Sequence, residues 1–316
     1  MRAPDFWRQP NPFAALLAPL GALYGLSVAW KAKLAKPFDP GLPVICVGNL
    51  TAGGSGKTPV AIAIADHLRA KGHTPFFLTR GYGGSERGPA MALRVHSAAQ
   101  MGDEALLLAR AAPTIVARDR AAGARLAKDK GATVLVMDDG HQNFALRKSL
   151  SLVVVDAETG FGNGFQIPAG PLREPVAQGL SRADAVVLVG KGNPDLGTFP
   201  GPDLRAHLKV DGDAFAGKPV FAFAGIGRPE KFVASLEESG ADVVGSCFFD
   251  DHHPYTEDEI VQLKMIAGEA QLVTTEKDFV RLTVAQREGI RLLKAAAVFD
   301  DQAALDGLLD RAAPAR

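Results

Sequence analysis

The stretch VGNLTAGGSGKTPV, residues Val47–Val60, contains most of a phosphate-binding loop and decides how the chain around it folds. The common form of this loop is G-x-x-x-x-G-K-[ST]. Its last three positions are filled by Gly56, Lys57 and Thr58. Thr51 stands where the first glycine is usual. The stretch therefore predicts a nucleotide site in a variant loop, and the alternative is a glycine-rich turn that binds no ligand.

The residues on either side of the loop favour the nucleotide site. An apolar run precedes the glycines, and a helical pattern begins at Thr58. Backbone N–H groups of such a loop turn toward phosphate oxygens, and the helix N-terminus adds a partial positive charge. Lys57 is expected to reach the β- and γ-phosphates of ATP, and Thr58 to ligate Mg²⁺. The predicted ATP-binding residues are Thr51, Ala52, Gly53, Gly54, Ser55, Gly56, Lys57 and Thr58.

Short apolar runs alternate with helical patterns along the first two thirds of the chain. The predicted strands are Val44–Val47, Pro75–Leu78, Thr114–Ala117, Thr133–Met137, Leu152–Val155 and Ala185–Val189. The predicted helices between them are Val60–Lys71, Glu104–Ala111 and Arg120–Lys130. This alternation predicts an α/β fold, a P-loop NTPase-type parallel sheet with helices on both faces. Ligands of such sheets bind beyond the carboxyl ends of the strands.

A domain boundary is predicted at Lys191–Asp213, a stretch rich in Pro, Gly and Asp with weak periodicity. Beyond it, a second, smaller α/β unit is predicted from the strands Val220–Ala224, Val243–Phe248, Leu272–Thr275 and Ala295–Phe299. The expected division is an N-terminal helix at residues 1–36, a core domain at 37–210 and a smaller domain at 211–316. The last helix of the smaller domain can pack back on the core.

The composition excludes some classes of protein. The chain has 316 residues, and its 35 basic and 35 acidic residues cancel, so no overall field favours nucleic acid as a partner. Its two cysteines, Cys46 and Cys247, lie in apolar runs and are expected to be buried free thiols. No Cys/His spacing indicates structural zinc, and no obligate protein partner is predicted.

The N-terminal segment is apolar enough to involve a membrane. No charged residue occurs from Gln9 to Trp30, and apolar residues recur near helical spacing. Four residues are expected to interrupt the helical pattern: Pro12, Pro19, Gly21 and Gly25. Three lysines follow it: Lys31, Lys33 and Lys36. The segment predicts a helix that lies in or dips into a membrane, with the lysines at its anionic surface. The alternatives are a helix packed on the protein's own core and, with less support, a secretory signal.

Two acidic pairs could carry chemistry. In VLVMDDGHQNF, Asp138 and Asp139 follow a predicted strand and match a Walker B site that holds Mg²⁺. The alternative there is an Asp-Gly turn. In QMGDEALLLARAA, Asp103 and Glu104 begin a helix, where an N-cap is the ordinary explanation of an aspartate.

Other polar residues lie in loops after predicted strands. FFDDHHPYTEDEI places Asp251, His252 and His253 before a helix. These residues are either simply exposed, or a metal site, or an acid-base pair. LTRGYGG and IPAGPLREP add Arg80, Tyr82, Arg173 and Glu174, which suit phosphate or ring contacts. TTEKDFVRL lacks the lysine that a guanine-reading motif requires.

Taken together, these stretches resemble one family, the tetraacyldisaccharide 4′-kinases of lipid A biosynthesis. The resemblance covers nearly the whole chain, in the order VGNLTAGGSGKTPV, TRGYGG, GDEALLLAR, DDGHQNFALRKSLSLVVVDA, FGNGFQIPAGPLREP, DDHHPYT and TTEKD, after an apolar N-terminal helix. Thr51 belongs to the likeness, because the family's loop reads N-L-[ST]-x-G-G-x-G-K-T.

The resemblance implies a lipid kinase. It would transfer the γ-phosphoryl group of ATP, with Mg²⁺, to the 4′-hydroxyl of an acylated glucosamine disaccharide 1-phosphate at the cytoplasmic face of the inner membrane. The implied catalytic residues are Asp103 as base, His252 as its partner, and Lys57. The implied metal residues are Thr58, Asp138 and Glu104. The implied substrate-binding residues are Asn49, Arg80, Tyr82, Asp139, Gln142 and Arg173.

One departure and two other functions remain open. The family's DDG motif usually continues with an apolar or aromatic residue and then Gln-His, whereas this chain has His141, Gln142 and Asn143. A nucleotide-driven switch would need a protein partner, and Ala52 replaces the signature lysine of one such class. A metal-dependent phosphohydrolase would use Asp138, Asp139, His141 and the Asp251-His252-His253 cluster.

Overall fold

The computed structural model describes residues 4–9, 11–93 and 95–315 of the chain. The strands are β1 (Val44–Gly48), β2 (Pro75–Thr79), β3 (Ala90–Ala92), β4 (Thr114–Val116), β5 (Val134–Asp138), β6 (Leu150–Asp156), β7 (Ala185–Val189), β8 (Asp203–Asp211), β9 (Pro219–Ala224), β10 (Asp242–Phe248), β11 (Gln271–Thr275) and β12 (Ile290–Phe299). The helices are α1 (Pro12–Leu34), α2 (Lys57–Ala70), α3 (Ala98–Met101), α4 (Asp103–Ala111), α5 (Arg120–Asp129), α6 (Val176–Leu180), α7 (Pro229–Glu238), α8 (Glu257–Ala267), α9 (Glu276–Phe279) and α10 (Gln302–Ala312).

The strands in the described ranges form one sheet in the order β10-β9-β11-β12-β8-β7-β6-β1-β5-β2-β4-β3. Pairing is parallel except between β12 and β8 and between β3 and β4. The predicted α/β fold with a largely parallel sheet is confirmed. The sheet continues across the predicted division at residue 210, because β8 pairs with β7 on one side and with β12 on the other.

The stretch predicted to be a domain boundary contains the strand β8, which was not predicted. The division at residue 210 stays a prediction, and residues 211–316 are called the second unit. β8 alternates apolar and polar residues in the sequence DLRAHLKVD, which is the two-residue period of a strand with one face toward the core. Leu204 and Ala206 are buried and join the main core. This alternation can be read from the sequence, but the Pro and Gly residues that precede β8 suggest a linker instead.

Helices cover both faces of the central strands. On one face α2 and α10 pack together, with Val60, Ile64, Leu305 and Leu309 fully buried. The last helix therefore does pack back on the core. On the other face, α5 packs against β2, β4 and β5. Each fully buried Leu, Ile or Val side chain contributes about 1.5–3 kcal/mol, so these layers fix the loops at the carboxyl edge of the sheet.

Helix α1 is continuous, which corrects the expectation that its prolines and glycines interrupt it. Asn11 caps the helix by accepting a hydrogen bond from the Ala14 N–H at 2.9 Å. A Cβ atom on Gly21 would lie 2.7 Å from the Gln166 carbonyl oxygen, so this glycine allows the helix to touch the loop of residues 161–175. The buried stripe is Ala14, Gly21, Gly25 and Val28.

The rest of α1 is exposed and apolar. Leu16 is 74% exposed, Leu23 63% and Trp30 67%. By length and composition the helix could cross a membrane, with a mean hydropathy of 1.6 and only 22% of its most apolar window buried in the fold. The alternative of a helix packed on the protein's own core thus applies to a narrow stripe and leaves most of its apolar surface uncovered.

Candidate active site

The phosphate loop joins β1 to α2 at the centre of the sheet. Gly56 has a φ of +81°, which glycine adopts without strain, and it directly precedes the first residue of α2, Lys57. A Cβ atom on Gly53 or Gly54 would meet nothing within 4 Å, so the loop has open space beside it. A glycine-lined opening at a helix N-terminus suits a bound phosphate.

Asn49 braces this loop from inside the fold. It is fully buried, and its Nδ2 donates to the Thr51 carbonyl oxygen at 2.7 Å and to Ser55 Oγ at 3.1 Å. Gln142 Nε2 donates to the Asn49 carbonyl oxygen at 2.8 Å and to Glu174 Oε1 at 2.9 Å. Both side chains were predicted to bind substrate, but these contacts are within the protein and support the loop.

The loop of residues 161–175 runs beside the phosphate loop. Thr51 pairs with Leu172, and the Ala52 N–H donates to the Pro171 carbonyl oxygen at 2.7 Å. The Arg173 N–H donates to the Leu50 carbonyl oxygen at 2.7 Å. Since the same loop also contacts α1, it connects the apolar helix with the nucleotide site.

Asp138 lies at the end of β5 and faces α2. Thr58 Oγ1 donates to Asp138 Oδ2 at 3.4 Å, and Asp138 Oδ1 is buried without a hydrogen-bond partner among the described residues. Burial, and then the charge of Glu104, raise the pKa of Asp138 to about 7. An orphaned carboxylate oxygen beside a hydroxyl group is the oxygen donor set that Mg²⁺ uses next to nucleotide phosphates, so these residues fit the metal.

Asp139 holds two cations at the same edge. Its Oδ1 lies 2.6 Å from Arg173 Nη1 and 3.8 Å from Lys57 Nζ. Burial would raise the pKa of Asp139, but the charges of Lys57 and Arg173 outweigh burial and lower it. Its φ of +52° places it in the left-handed turn that the Asp-Gly alternative predicted, so the turn and the charged site coexist.

Asp103 and His252 meet across 149 residues of sequence, with His252 Nδ1 at 2.8 Å from Asp103 Oδ2. Asp103 is the first residue of α4 rather than its N-cap, and its Oδ1 accepts the Glu104 N–H at 2.9 Å. Gly102, with a φ of +85°, allows this approach, because a Cβ atom there would lie 2.4 Å from the Tyr82 carbonyl oxygen. The sequence predicted both residues of the pair, and the structure brings them together.

Arg281 completes this cluster and was missed from the sequence. Its Nε and Nη2 donate to Asp103 Oδ2 at 3.0 and 2.5 Å, and its Nη1 donates to Asp278 Oδ1 at 2.8 Å and to the Gly225 carbonyl oxygen at 2.7 Å. Although burial raises the pKa of Asp103, the hydrogen bond from His252 and the charges of Lys277 and Arg281 lower it far below the usual range. The only signal was the position of Arg281 within TTEKDFVRL.

Asp103 is largely occupied by donors within the protein. One His252 nitrogen and two Arg281 nitrogens lie at hydrogen-bond distance from its Oδ2, and the Glu104 N–H donates to its Oδ1. If His252 Nδ1 carries the donated proton, its Nε2 remains as a free acceptor, 3.7 Å from the nearest carboxylate oxygen, that of Asp251. This geometry resembles an aspartate that orients a histidine base.

The remaining predicted residues take different positions. Tyr82 is 67% exposed, and its ring centre lies 6.1 Å from that of His252. Arg80 is exposed and directly follows β2. The pKa of Arg120 is lowered to about 10, mainly because Arg120 is buried and secondly by the charge of Arg80. Glu104 Oε1 lies 3.7 Å from Lys277 Nζ, across the same junction as the Asp103 cluster.

The histidine beside the acidic pair is structural. His141 is buried, with Nδ1 at 3.2 Å from Ser151 Oγ and Nε2 at 2.9 Å from the Gly179 carbonyl oxygen, and burial lowers its pKa to about 3. Asn143 Oδ1 accepts the Ala145 N–H at 3.1 Å. Both side chains are thus engaged in contacts within the fold. The described residues contain no group of three or more His, Cys, Asp or Glu side chains placed to hold a metal.

Comparison with known proteins identifies the family of the chain. The model of the LpxK family, described as tetraacyldisaccharide-1-P 4′-kinase, matches residues 13–313. A tetraacyldisaccharide 4′-kinase of Paramagnetospirillum magneticum is 52% identical over 320 residues and covers 98% of both chains. One from Bradyrhizobium diazoefficiens is 48% identical over 324 residues, 98% of this chain and 96% of its own.

A solved structure has the same fold. The crystal structure of the "apo" form of LpxK from Aquifex aeolicus in complex with ATP superposes with a TM-score of 0.78 at 25% sequence identity. The match covers 95% of this chain and 99% of that one. The likeness therefore extends over both the core and the second unit.

Proposed function

Because the chain belongs to the tetraacyldisaccharide-1-P 4′-kinase family, we propose that the residues gathered at the carboxyl edge of its sheet carry out the transfer. The protein is an ATP-dependent lipid kinase of lipid A biosynthesis that phosphorylates the 4′-hydroxyl of tetraacyldisaccharide 1-phosphate. The observation that carries the assignment of residues is the meeting of Lys57, Thr58 and Asp138 at the same sheet edge as the Asp103–His252 pair.

The phosphate side of the site is assigned to the loop and the first acidic residue. Lys57, now held by Asp139, is placed to exchange that carboxylate for phosphate oxygens. Thr58 and Asp138 would hold Mg²⁺, with Glu104 near enough to raise the pKa of Asp138. When bound, the metal supplies positive charge that neutralises the phosphates. Arg173 and Asp139 then keep the edge of the loop in position.

The proton of the sugar hydroxyl is assigned to His252. The sequence pointed to Asp103 as the base, but His252, Lys277 and Arg281 hold the pKa of its carboxyl group far below the usual range, so the ionised carboxylate is a weak proton acceptor. Asp103 instead holds the Nδ1–H of His252 and leaves Nε2 to accept the proton. Such a base contributes about 10²–10⁴ to the rate, and phosphoryl transfer depends more on the charges around the phosphates.

The acylated substrate is assigned to the side of the molecule that carries α1. The exposed apolar face of this helix suits the acyl chains of the inner membrane, and Lys31 and Lys33 in its last turn suit the anionic headgroups of the cytoplasmic face. The loop of residues 161–175 contacts both α1 and the phosphate loop. A disaccharide headgroup that leaves the membrane beside α1 would therefore meet the site through this loop.

The test is transfer of labelled γ-phosphate from ATP to tetraacyldisaccharide 1-phosphate. Lys57→Ala is expected to lower transfer by about 10²–10³, because it removes a charge that acts on the phosphates. Lys71→Ala is the matched control, since Lys71 closes the same helix and pairs with Asp310 at 2.6 Å, away from the loop. If the wild-type enzyme labels no lipid, or if it hydrolyses ATP equally well without lipid, the kinase assignment fails.

A further inference from the structure

One side chain of the second unit reaches the phosphate loop itself. Arg228 directly precedes α7, and its Nη2 donates to the Gly54 carbonyl oxygen at 2.9 Å. The same nitrogen forms an ion pair with Asp156, at the end of β6. Neither the sequence motifs nor the roles assigned above involve Arg228.

Asp156 is a rigid anchor for this contact. Its Oδ1 accepts hydrogen bonds from the Glu158 N–H at 3.1 Å, from the Thr159 N–H at 3.0 Å and from Thr159 Oγ1 at 3.2 Å. The other oxygen is therefore held toward Arg228. Because the core fixes Asp156, the guanidinium group is fixed relative to the phosphate loop as well.

The contact determines the orientation of one peptide group. Gly54 has no side chain, and a Cβ atom on it would have no neighbour within 4 Å, so packing does not hold it. A trans peptide is planar and directs its C=O and N–H to opposite sides. When Arg228 holds the Gly54 carbonyl, the Ser55 N–H is turned away from Arg228. Asn49 holds the same Ser55 by its hydroxyl group at 3.1 Å.

The segment that carries Arg228 also contacts the catalytic pair. The Gly225 carbonyl oxygen accepts the His252 N–H at 3.2 Å and Arg281 Nη1 at 2.7 Å. Residues 225–228 thus touch the base at one end and the phosphate loop at the other. Four residues therefore connect the contact with the phosphate loop to the contact with His252.

We propose that Arg228 is a positioning residue for ATP, which sets the Gly54–Ser55 peptide for phosphate binding and links nucleotide affinity to docking of the second unit on the core. This inference rests on the proposed kinase function. The backbone N–H groups of a phosphate loop bind only when they point inward together, so one freed peptide weakens binding. By linkage, the factor by which docking of the second unit raises ATP affinity is the factor by which bound ATP favours docking.

The test is the affinity of the full-length protein for a non-hydrolysable ATP analogue with Mg²⁺, measured by calorimetry without lipid. Arg228→Ala is expected to weaken binding about tenfold, the effect of about 1.4 kcal/mol. At saturating ATP, the KM for the lipid is expected to stay within about twofold of wild type, because Arg228 does not face that substrate.

Two further variants separate positioning from charge and from general stability. Arg228→Lys keeps the cation, but its chain is one bond shorter, so binding should remain weak if the hydrogen bond to Gly54 matters. Lys218→Ala removes an exposed cation elsewhere in the second unit, whose Nζ donates to the Ala214 carbonyl oxygen at 2.8 Å, and should leave affinity unchanged.

The outcomes are distinct. Weak binding by both Arg228 variants, with normal binding by Lys218→Ala, supports the inference. Affinity within about twofold of wild type in Arg228→Ala overturns it, as does full rescue by lysine or an equal loss in Lys218→Ala. Failure of the wild-type protein to bind the analogue would instead overturn the proposed function.

Discussion

Replacing Asp138 by Asn is expected to stabilise the ligand-free protein at pH 8 while it removes activity. Burial and the charge of Glu104 raise the pKa of Asp138 from its ordinary 3.8 to about 7, so the fold disfavours the ionised form. The folded protein binds this proton more tightly than the unfolded chain does. Stability is therefore lost as the pH rises from about 4 to about 7, and the full cost persists at pH 8.

The size of the effect follows from the shift. One pKa unit corresponds to about 1.4 kcal/mol, so a shift of about three units gives an upper limit of about 4 kcal/mol. Asn has nearly the same shape, and its oxygen can still accept from Thr58. We expect Asp138→Asn to raise the free energy of unfolding by about 2–4 kcal/mol at pH 8. In a chain of this size that is a rise in Tm of about 4–8 °C.

The assay is thermal unfolding of wild type and variant, without nucleotide, at pH 5 and pH 8. The gain should fall by more than half at pH 5, where wild-type Asp138 is protonated in the fold. Asp139→Asn is the matched control, because Lys57 and Arg173 lower the pKa of Asp139 and loss of its charge should destabilise the protein at pH 8. Adding ATP with Mg²⁺ should stabilise the wild type more than Asp138→Asn. An Asp138→Asn protein that is no more stable than wild type at pH 8, or equally stabilised at both pH values, would refute the reasoning.

Three further changes test other parts of the molecule. Arg281→Ala removes the guanidinium group that bridges two buried carboxylates, those of Asp103 and Asp278, and urea unfolding should show a loss of about 3–5 kcal/mol; a loss below about 1 kcal/mol would contradict the cluster. His252→Gln and Asp103→Asn should each slow turnover by about 10²–10⁴, and the double variant should be no slower than the slower single variant, because the two side chains act as a unit; additive losses would contradict the pair. Leu16→Glu should weaken binding to anionic lipid vesicles at least about tenfold, whereas Val284→Glu, at a residue 84% exposed in the second unit, should not. Equal binding by the wild type and both variants would contradict a membrane contact of α1.

Much of the fold was predictable because its signals are local. The apolar runs of the central strands are continuous in sequence, and helical periodicity lies between them, so each element could be identified from its own residues. Where the structure differs, a second signal competed. Prolines and glycines suggested a linker across β8, although its alternation was regular, and Pro19 suggested a break in α1 that the helix does not have.

The site was predictable only in part. Asp138 and Asp139 can be recognised from sequence because they end an apolar run that follows a phosphate loop. The direction in which a polar side chain points cannot. Asn49 and Gln142 stand within or next to recognisable motifs, yet both turn inward and hydrogen-bond to the backbone that they support.

The sequence by itself determined the parallel α/β sheet, the glycine-rich loop and the acidic strand end, since each depends on residues within a few positions of one another. Only the tertiary structure decided which charges meet. Arg281 reaches Asp103 across 178 residues, and Arg228 reaches Gly54 across 174. No periodicity or motif records such a separation. The contacts exist because packing of the second unit against the core brings the carboxyl ends of distant strands to one edge of one sheet.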